Sequence, residues 1–482
     1  MSAATARVTP TAVQVGDEPG DASVRPTPSL RILFIGLALY AAFGKGFAYA
    51  GRPPVFVGEV LLALVLVSAV RPSAAIPRHP AALVTVVLAG IGVVQFAVDR
   101  LVAADPLIET LRGLAPLYYS AYAFGAYALL RAYEQQAGRP AVMGSVERAI
   151  TRAVPWVLAA VTVLAALLLI EPSGLPTWPG SDVSMLLTKS GDIAVTLVLV
   201  APVLFDHRLG RRLGDHRLLS IGLWCATALL VISRSRGALL ALVAGLLVAR
   251  PHPVRMVKGV MAATSVVVLL YVTGLSVEVS NRELSYDALG DAVQSTLGAA
   301  SEEEIGSNYL GTTQWRADWW GAIWADVEQH AMLLHGHGWG DNLAVRYGVT
   351  DVPDEFTALR LPHNVFFSLA GRAGLVVAIG LVVVVPLLTI VPTFTRLAAR
   401  PAPAIVQAAR GGVAAALVTG LTDIYVESPQ GGILFWSLIG FLWFACAPPV
   451  EGDAEGRLVP RGREPASPER LPRRPLGGTH RR

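Results

Sequence analysis

The stretch LVVAIGLVVVVPLLTIV, from Leu375 to Val391, carries no charged side chain over seventeen residues. An α-helix needs about 20 largely apolar residues to cross about 30 Å of hydrocarbon, so this run reads as the body of a transmembrane helix. Similar runs recur along the chain. Twelve spans are expected, starting near Arg31, Pro54, Ala81, Leu114, Val154, Met185, Leu218, Ala238, Met256, Leu375, Gly411 and Gly431. The sixth is interrupted by Lys189 and Asp192, and the eighth is short.

Composition agrees. Of 482 residues, 53% are hydrophobic and 15% charged, against about 25% charged in an ordinary soluble domain. Mean hydropathy is +0.53. The expected fold is an all-α polytopic membrane protein, and soluble classes are excluded. Net charge is +4, an excess that belongs to loops and tail and implies no nucleic-acid partner. Cys225 and Cys446 both fall in apolar runs and read as small core residues, not as a disulfide. The first 30 residues are polar, so no removable signal peptide is expected.

Orientation follows from Arg and Lys in the short loops. With the N-terminus inside, the cytoplasmic loops carry sixteen of these cations, from Arg71 to Arg410, and the opposite loops five: Arg52, Arg100, Arg112, Arg234 and Arg236. Both termini are therefore expected in the cytoplasm. The resulting division is a disordered N-terminus over 1–30, spans one to nine over 31–275, a large extracytoplasmic loop over 276–362, spans ten to twelve over 363–448, and a disordered basic tail over 449–482.

That loop holds fourteen Asp and Glu against four Arg and no Lys, with five of the ten tryptophans. Trp315, Trp319 and Ile323 recur every four residues, with Trp320 and Trp324 alongside, which predicts an amphipathic helix. The tryptophans suit either the outer membrane surface or the core of a small domain. Glu302, Glu303 and Glu304 read as a solvated face. His330, His335 and His337, with Asp341, match no strong zinc spacing, so no metal site is expected.

Ionisable residues within spans are functional candidates because each costs roughly 3 kcal/mol to insert at helix centre. Here they gather at the outer boundary. Lys45 and Glu59 lie at matching depth and are placed to pair. Lys189 and Asp192 fall on one helical face. Arg234 and Arg236 end span seven, and Arg372 opens span ten. Singly, each fits a snorkelling side chain or structural ion pair. Together they suggest an anion held at the outer headgroup level.

Three segments stand out: Ser233-Arg234-Ser235-Arg236-Gly237; Arg316-Ala317-Asp318-Trp319-Trp320 followed by Gly336-His337-Gly338-Trp339-Gly340; and Pro362-His363-Asn364 with Gly374 beyond. In this order around one large outer loop they resemble the O-antigen ligase family of membrane glycosyltransferases, most densely from Leu218 to Val385. The family includes polysaccharide polymerases. The resemblance implies inverting, metal-independent transfer of a glycan from a polyprenyl (undecaprenyl) pyrophosphate to an acceptor hydroxyl at the outer face of the cytoplasmic membrane. No cofactor is implied. The partners would be the lipid-linked donor, a glycan, lipid or protein acceptor, and membrane lipids. Arg236 and Arg316 match the family's pyrophosphate-binding arginines, and His363 its catalytic histidine. Arg234, Arg372, Lys189, Asp192, Lys45, Glu59 and Asn364 are candidates for supporting positions. Val377 departs from the family's Gly, Thr or Tyr.

The residue types suit this chemistry. Pyrophosphate leaves readily if guanidinium groups stabilise its charge, and a sugar hydroxyl needs a base near neutral pKa, which histidine supplies for about 10²–10⁴-fold in rate. Each residue also has a plain reading: Arg236 as a cap on the end of span seven, Arg316 as a surface arginine, His363 as an interfacial histidine. The competing class is a twelve-span transporter of a glycan or lipid. Asp206 to Arg212 is similar to a loop motif of the major facilitator superfamily, but there it follows span two, not span six. A transporter would also place polar groups near the midplane.

Overall fold

The computed structural model describes residues 26–52, 55–69, 76–103, 105–167, 176–179, 184–250, 277–279, 282–284, 307–349, 360–395 and 402–450. The ninth span, the two tails and the Glu302–Glu304 run lie outside them.

Helices dominate and start where the sequence supplies caps. Thr27 Oγ1 accepts from Leu30 N at the head of α1 (Pro28–Ala48), and His79 Nδ1 from Ala81 N at the head of α3 (Pro80–Leu101); Pro28 and Pro80 open these helices, where a missing N–H costs nothing. Between them runs α2 (Val57–Ala69), and beyond α3 come α4 (Leu107–Gly113), α5 (Ala115–Tyr118), α6 (Ala121–Ala137) and α7 (Arg139–Leu167). Next are α8 (Ser190–Phe205), α9 (His207–Arg212), α10 (His216–Ile232) and α11 (Arg236–Ala249). Two short helices, α13 (Leu343–Arg346) and α14 (Val365–Ala373), follow the tryptophan-rich α12 (Ser307–Gln329). The chain then crosses back as α15 (Leu375–Thr395), α16 (Ala404–Thr422) and α17 (Pro429–Cys446). Two antiparallel two-residue and three-residue ribbons, Gly51–Arg52 with Val55–Phe56 and Val277–Val279 with Arg282–Leu284, are the sheet pairs among the described residues.

This is a multi-pass helical membrane protein. Among the described residues, six helices are long and apolar enough to cross a membrane: α1, α3, α7, α15, α16 and α17; α2, α8, α10 and α11 are shorter apolar helices. Lipid and protein faces differ clearly. In α3 only 33% of the apolar window is buried, and Leu83, Val86, Val93, Val94 and Leu101 are exposed, whereas 78% of α16 and 83% of α17 are buried. The last two helices, with the nearly all-buried α8, form the centre.

Small residues set this centre. A Cβ on Gly245 would meet Val198 and Ala415 within 2.9 Å, and one on Gly411 would lie 2.6 Å from the Ala249 Cβ. Close approach of α8, α11 and α16 at these glycines fixes where their ends arrive, in the manner of small-residue contacts between membrane helices.

Several boundaries differ from expectation. The fourth span is not one apolar rod from Leu114 but the broken series α4, α5 and α6, whose far end holds the buried cluster Arg131–Glu134–Arg139. Arg131 and Arg139 also donate to the Pro448 and Ala447 carbonyls, anchoring the end of α17. Helix α7 begins fifteen residues before its expected start, and α16 seven before, because a helix continues through polar residues that a hydropathy window rejects. The amphipathic prediction over Trp315–Trp324 holds. Its buried stripe of Trp319, Ile323 and Val327 packs towards α14, and Trp320 stacks on Phe367, so the helix is docked on protein by this face.

Candidate functional site

The end of α16 and the starts of α8, α11 and α14 meet at one place. Ser235 caps α11 by accepting from Ala238 N, so Arg236 is its first residue. A cation there faces the positive end of the α11 dipole, an unfavourable place for it on helix-dipole grounds alone. Gly237 explains the rest of that motif: a Cβ would come within 2.7 Å of Thr422 Oγ1, so only glycine lets α11 start against the last residue of α16.

Thr422 connects the two arginines of the sequence reading. Its carbonyl accepts from Arg316 Nη1 at 3.2 Å, and the Arg316 guanidinium also lies over the Trp315 ring, 5.3 Å from its centre. Arg236 and Arg316 are close enough for their like charges to repel. Arg316 Nε is buried and has no hydrogen-bond partner among the described residues.

His363 stands beside them, in the turn ahead of α14. Its φ of 53° is a left-handed conformation that costs a non-glycine residue roughly 1–2 kcal/mol. Neighbours hold it there. Trp320 Nε1 donates to the Pro362 carbonyl at 2.7 Å, and Asn364 caps α14 through Oδ1 while donating from Nδ2 to the Leu421 carbonyl at 2.9 Å. The Trp315 ring meets the imidazole edge-on at 6.1 Å. Strain maintained by this many contacts marks a position that the surroundings over-determine.

The partner that organises His363 is Asp423, which the sequence reading overlooked. Asp423 Oδ1 lies 2.9 Å from His363 Nδ1, and Lys189 Nζ bridges both carboxylate oxygens at 2.7 and 2.8 Å. Both groups sit in connections outside the spanning helices. Burial alone would raise the Asp423 carboxyl, but the His363 hydrogen bond and the Lys189 ammonium outweigh it and hold the group well below the usual carboxylate range. For His363, burial lowers the imidazole below its ordinary value against the upward pull of Asp423, with Lys189 and Arg316 acting in the same sense as burial. The imidazole is therefore neutral at neutral pH. An ionised carboxylate facing Nδ1 assigns the ring proton to that nitrogen and leaves the lone pair on Nε2. Nε2 is buried and unpartnered among the described residues. This is a base aimed away from its carboxylate, within electrostatic reach of Arg316, which in turn neighbours Arg236.

The supporting candidates divide. Asn364 belongs to the site as the cap just described. Lys189 does too, although not by sharing a helical face with Asp192: it precedes α8 in extended conformation and reaches Asp423, while Asp192 is buried in the first turn. Lys45 lies within electrostatic reach of Lys189, Asp192 and Asp423, displayed where α1 breaks at Gly44. It does not pair with Glu59. That carboxylate instead accepts from Phe56 N and from the Tyr118 and Tyr119 hydroxyls. Arg372 is at the far end of α14, buried and donating to the Asp341 carbonyl, with Glu427 as its charged neighbour. It belongs to a separate polar group. Arg234 is half-buried in the turn before Ser235.

The Gly336–Gly340 segment is a clamp. His337 N and Gly338 N donate to the Gly371 and Arg372 carbonyls, and Trp339 N to Asp99, closing the end of α14. The three histidines are occupied elsewhere: His330 and His337 contact Asp326, which also accepts from Tyr347, and His335 lies by Asp99. Val377, the departure from the family pattern, is fully buried in α15.

Residues 221–396 match the family model described as O-antigen ligase. That segment is similar to the O-antigen ligase family. It contains Arg236, Arg316 and His363, whereas Lys189 and Asp423 lie outside it. Among curated proteins none matches the chain. The likeness is consistent with a membrane enzyme of ligase or polymerase type. Asp423 was legible in principle, as an acid in a short loop on the arginine-bearing side. Counting cations alone passed over it.

Proposed function

We propose that this protein transfers a glycan from a polyprenyl (undecaprenyl) pyrophosphate carrier to an acceptor hydroxyl at the outer face of the cytoplasmic membrane. The observation that carries the reading is His363: neutral, with Nδ1 on Asp423, Nε2 unpartnered, and Arg316 and Arg236 alongside. Arg236 and Arg316 hold the pyrophosphate, where bidentate charge-assisted contacts strengthen as negative charge develops. The acceptor oxygen attacks the anomeric carbon from the face opposite the pyrophosphate. A new carbon–oxygen bond forms, the bond to the pyrophosphate oxygen breaks with its electron pair, and the hydroxyl proton passes to His363 Nε2. The anomeric centre inverts. Asp423 stabilises the imidazolium that results, and Lys189 fixes Asp423.

The reaction needs no metal in this scheme, since the arginines supply the countercharge. The ligase reading takes a finished glycan to a lipid, protein or wall acceptor. The test is reconstitution with a polyprenyl-pyrophosphate oligosaccharide and candidate acceptors, with and without EDTA. Wild type is expected to label an acceptor equally in both, and His363→Ala to lose about 10²–10⁴-fold while still expressing and inserting. Full activity in His363→Ala refutes the base, EDTA sensitivity refutes the metal-free scheme, and solute uptake without transfer points to a transporter.

A further inference from the structure

At the opposite end of the bundle from His363, a cavity of about 320 Å³ opens among Arg208, Arg250, Asp206, Gln407, Pro403 and Ala404. Its size falls within the range of small-ligand sites. Its lining sets Arg208 and Arg250 against one carboxylate, Asp206. Asp206 Oδ1 is engaged in capping α9, accepting from Arg208 N and Leu209 N. Arg208 reaches Glu147, but Arg250 makes no ion pair among the described residues.

Arg250 is also not alone. Its guanidinium lies over the Phe394 ring, 4.7 Å from the centre, and that of Arg410 over the same ring at 4.2 Å. Arg410 is 4% exposed, donates to the Ala249 carbonyl and has an Nε without a partner. The one charged group acting on it among the described residues is Arg250, another cation. The neighbouring sequence offers no relief, since 251–276 and 396–401 contain no Asp or Glu. Two like charges gathered on one ring, one of them buried, are costly unless an anion joins them.

Two further features favour an anion. The first turn of α16 lines the cavity, and its cap residue, Pro403, has no side-chain acceptor for the free N–H groups. Arg250 ends α11 with a φ of 51°, a place where glycine is the usual residue. An arginine occupies that place despite the strain.

We propose that this cavity is a phosphate-binding site, filled by an anion from the Arg-rich side of the membrane. The shared chemistry is a phosphate group gripped by Arg250 and Arg208 with Arg410 behind, and its source is a lipid phosphodiester headgroup or a soluble phosphate. Basic pockets between helices on this side suit anionic headgroups. The site is independent of glycan transfer.

Native mass spectrometry of the delipidated full chain tests it, with phosphatidylglycerol in one arm and inorganic phosphate in the other. Arg250→Gly suits the left-handed backbone while removing the cation, so a purely structural arginine predicts unchanged ligand binding and equal or better thermal stability. The site predicts binding about tenfold weaker, as expected for losing one charge-assisted contact. Arg208→Gln provides a second variant should Arg250→Gly not insert, and Arg148→Ala, at the same end but outside the cavity, should bind as wild type. An Arg250-dependent response to the lipid identifies a headgroup, and one to inorganic phosphate a soluble anion; either supports the site. Equal binding by wild type, Arg250→Gly and Arg208→Gln in both arms overturns it.

Discussion

Exchange of Asp423 for Asn removes a charge from the proposed base while nearly preserving shape. Oδ1 accepts from His363 Nδ1, Lys189 Nζ and Ile424 N, whereas Oδ2 faces Lys189 alone. The asparagine oxygen should therefore keep the Oδ1 position, since the flipped amide would oppose three donors. The His363 tautomer survives, and what is lost is charge. Two unit charges 4 Å apart interact by about 4 kcal/mol at an effective dielectric of 20, but Lys189 already offsets much of this. The remaining increment is that of a charge-assisted hydrogen bond, about 1.5–3 kcal/mol, which corresponds to about 10- to 100-fold in kcat/KM. Asp423→Ala also loses orientation and should fall towards His363→Ala. The pH profile adds a sign. The active imidazole is neutral, so the rate rises with pH through the His363 pKa and is level above it. Asp423 pulls that pKa up against burial, so Asp423→Asn should move the acid limb to lower pH. Transfer from a polyprenyl-pyrophosphate oligosaccharide, measured across pH, reads both effects. Wild-type kcat/KM with an unmoved limb, or a limb displaced upward, would refute the reasoning.

Lys189→Met should displace the same limb upward, because the ammonium lowers His363; a downward displacement in the same pH series would show that its influence through Asp423 dominates. Gly237→Ala should lower transfer without abolishing insertion, since its Cβ would sit 2.7 Å from Thr422 Oγ1 and force α11 and α16 apart, an overpacking cost of about 1–3 kcal/mol. Activity and thermal unfolding measured together check it, and Gly237→Ala with wild-type values in both would remove the close-approach argument.

Fold class, the apolar helices and their grouping by polar ends were legible because hydrocarbon imposes a simple rule on composition: few charges for about 20 residues. The matches of Arg236, Arg316 and His363 came from motif order, and the tryptophan periodicity was enough to predict α12. Pairing was another matter. Lys45 and Glu59 share a depth, yet depth says nothing about rotation about the helix axis, and three aromatic and backbone donors reach Glu59 first. Asp423 lies sixty residues from His363, and they meet only because glycines let α8, α11 and α16 pack closely enough to bring their ends together. The left-handed backbone of His363 and its lowered pKa arise from the same assembly. Chemistry-bearing residue types and their places at the ends of apolar runs are properties of the chain as written, since each residue's transfer cost is local. Which nitrogen carries the proton, and which cation answers which carboxylate, depends on distances of about 3 Å between helices, and packing alone sets those.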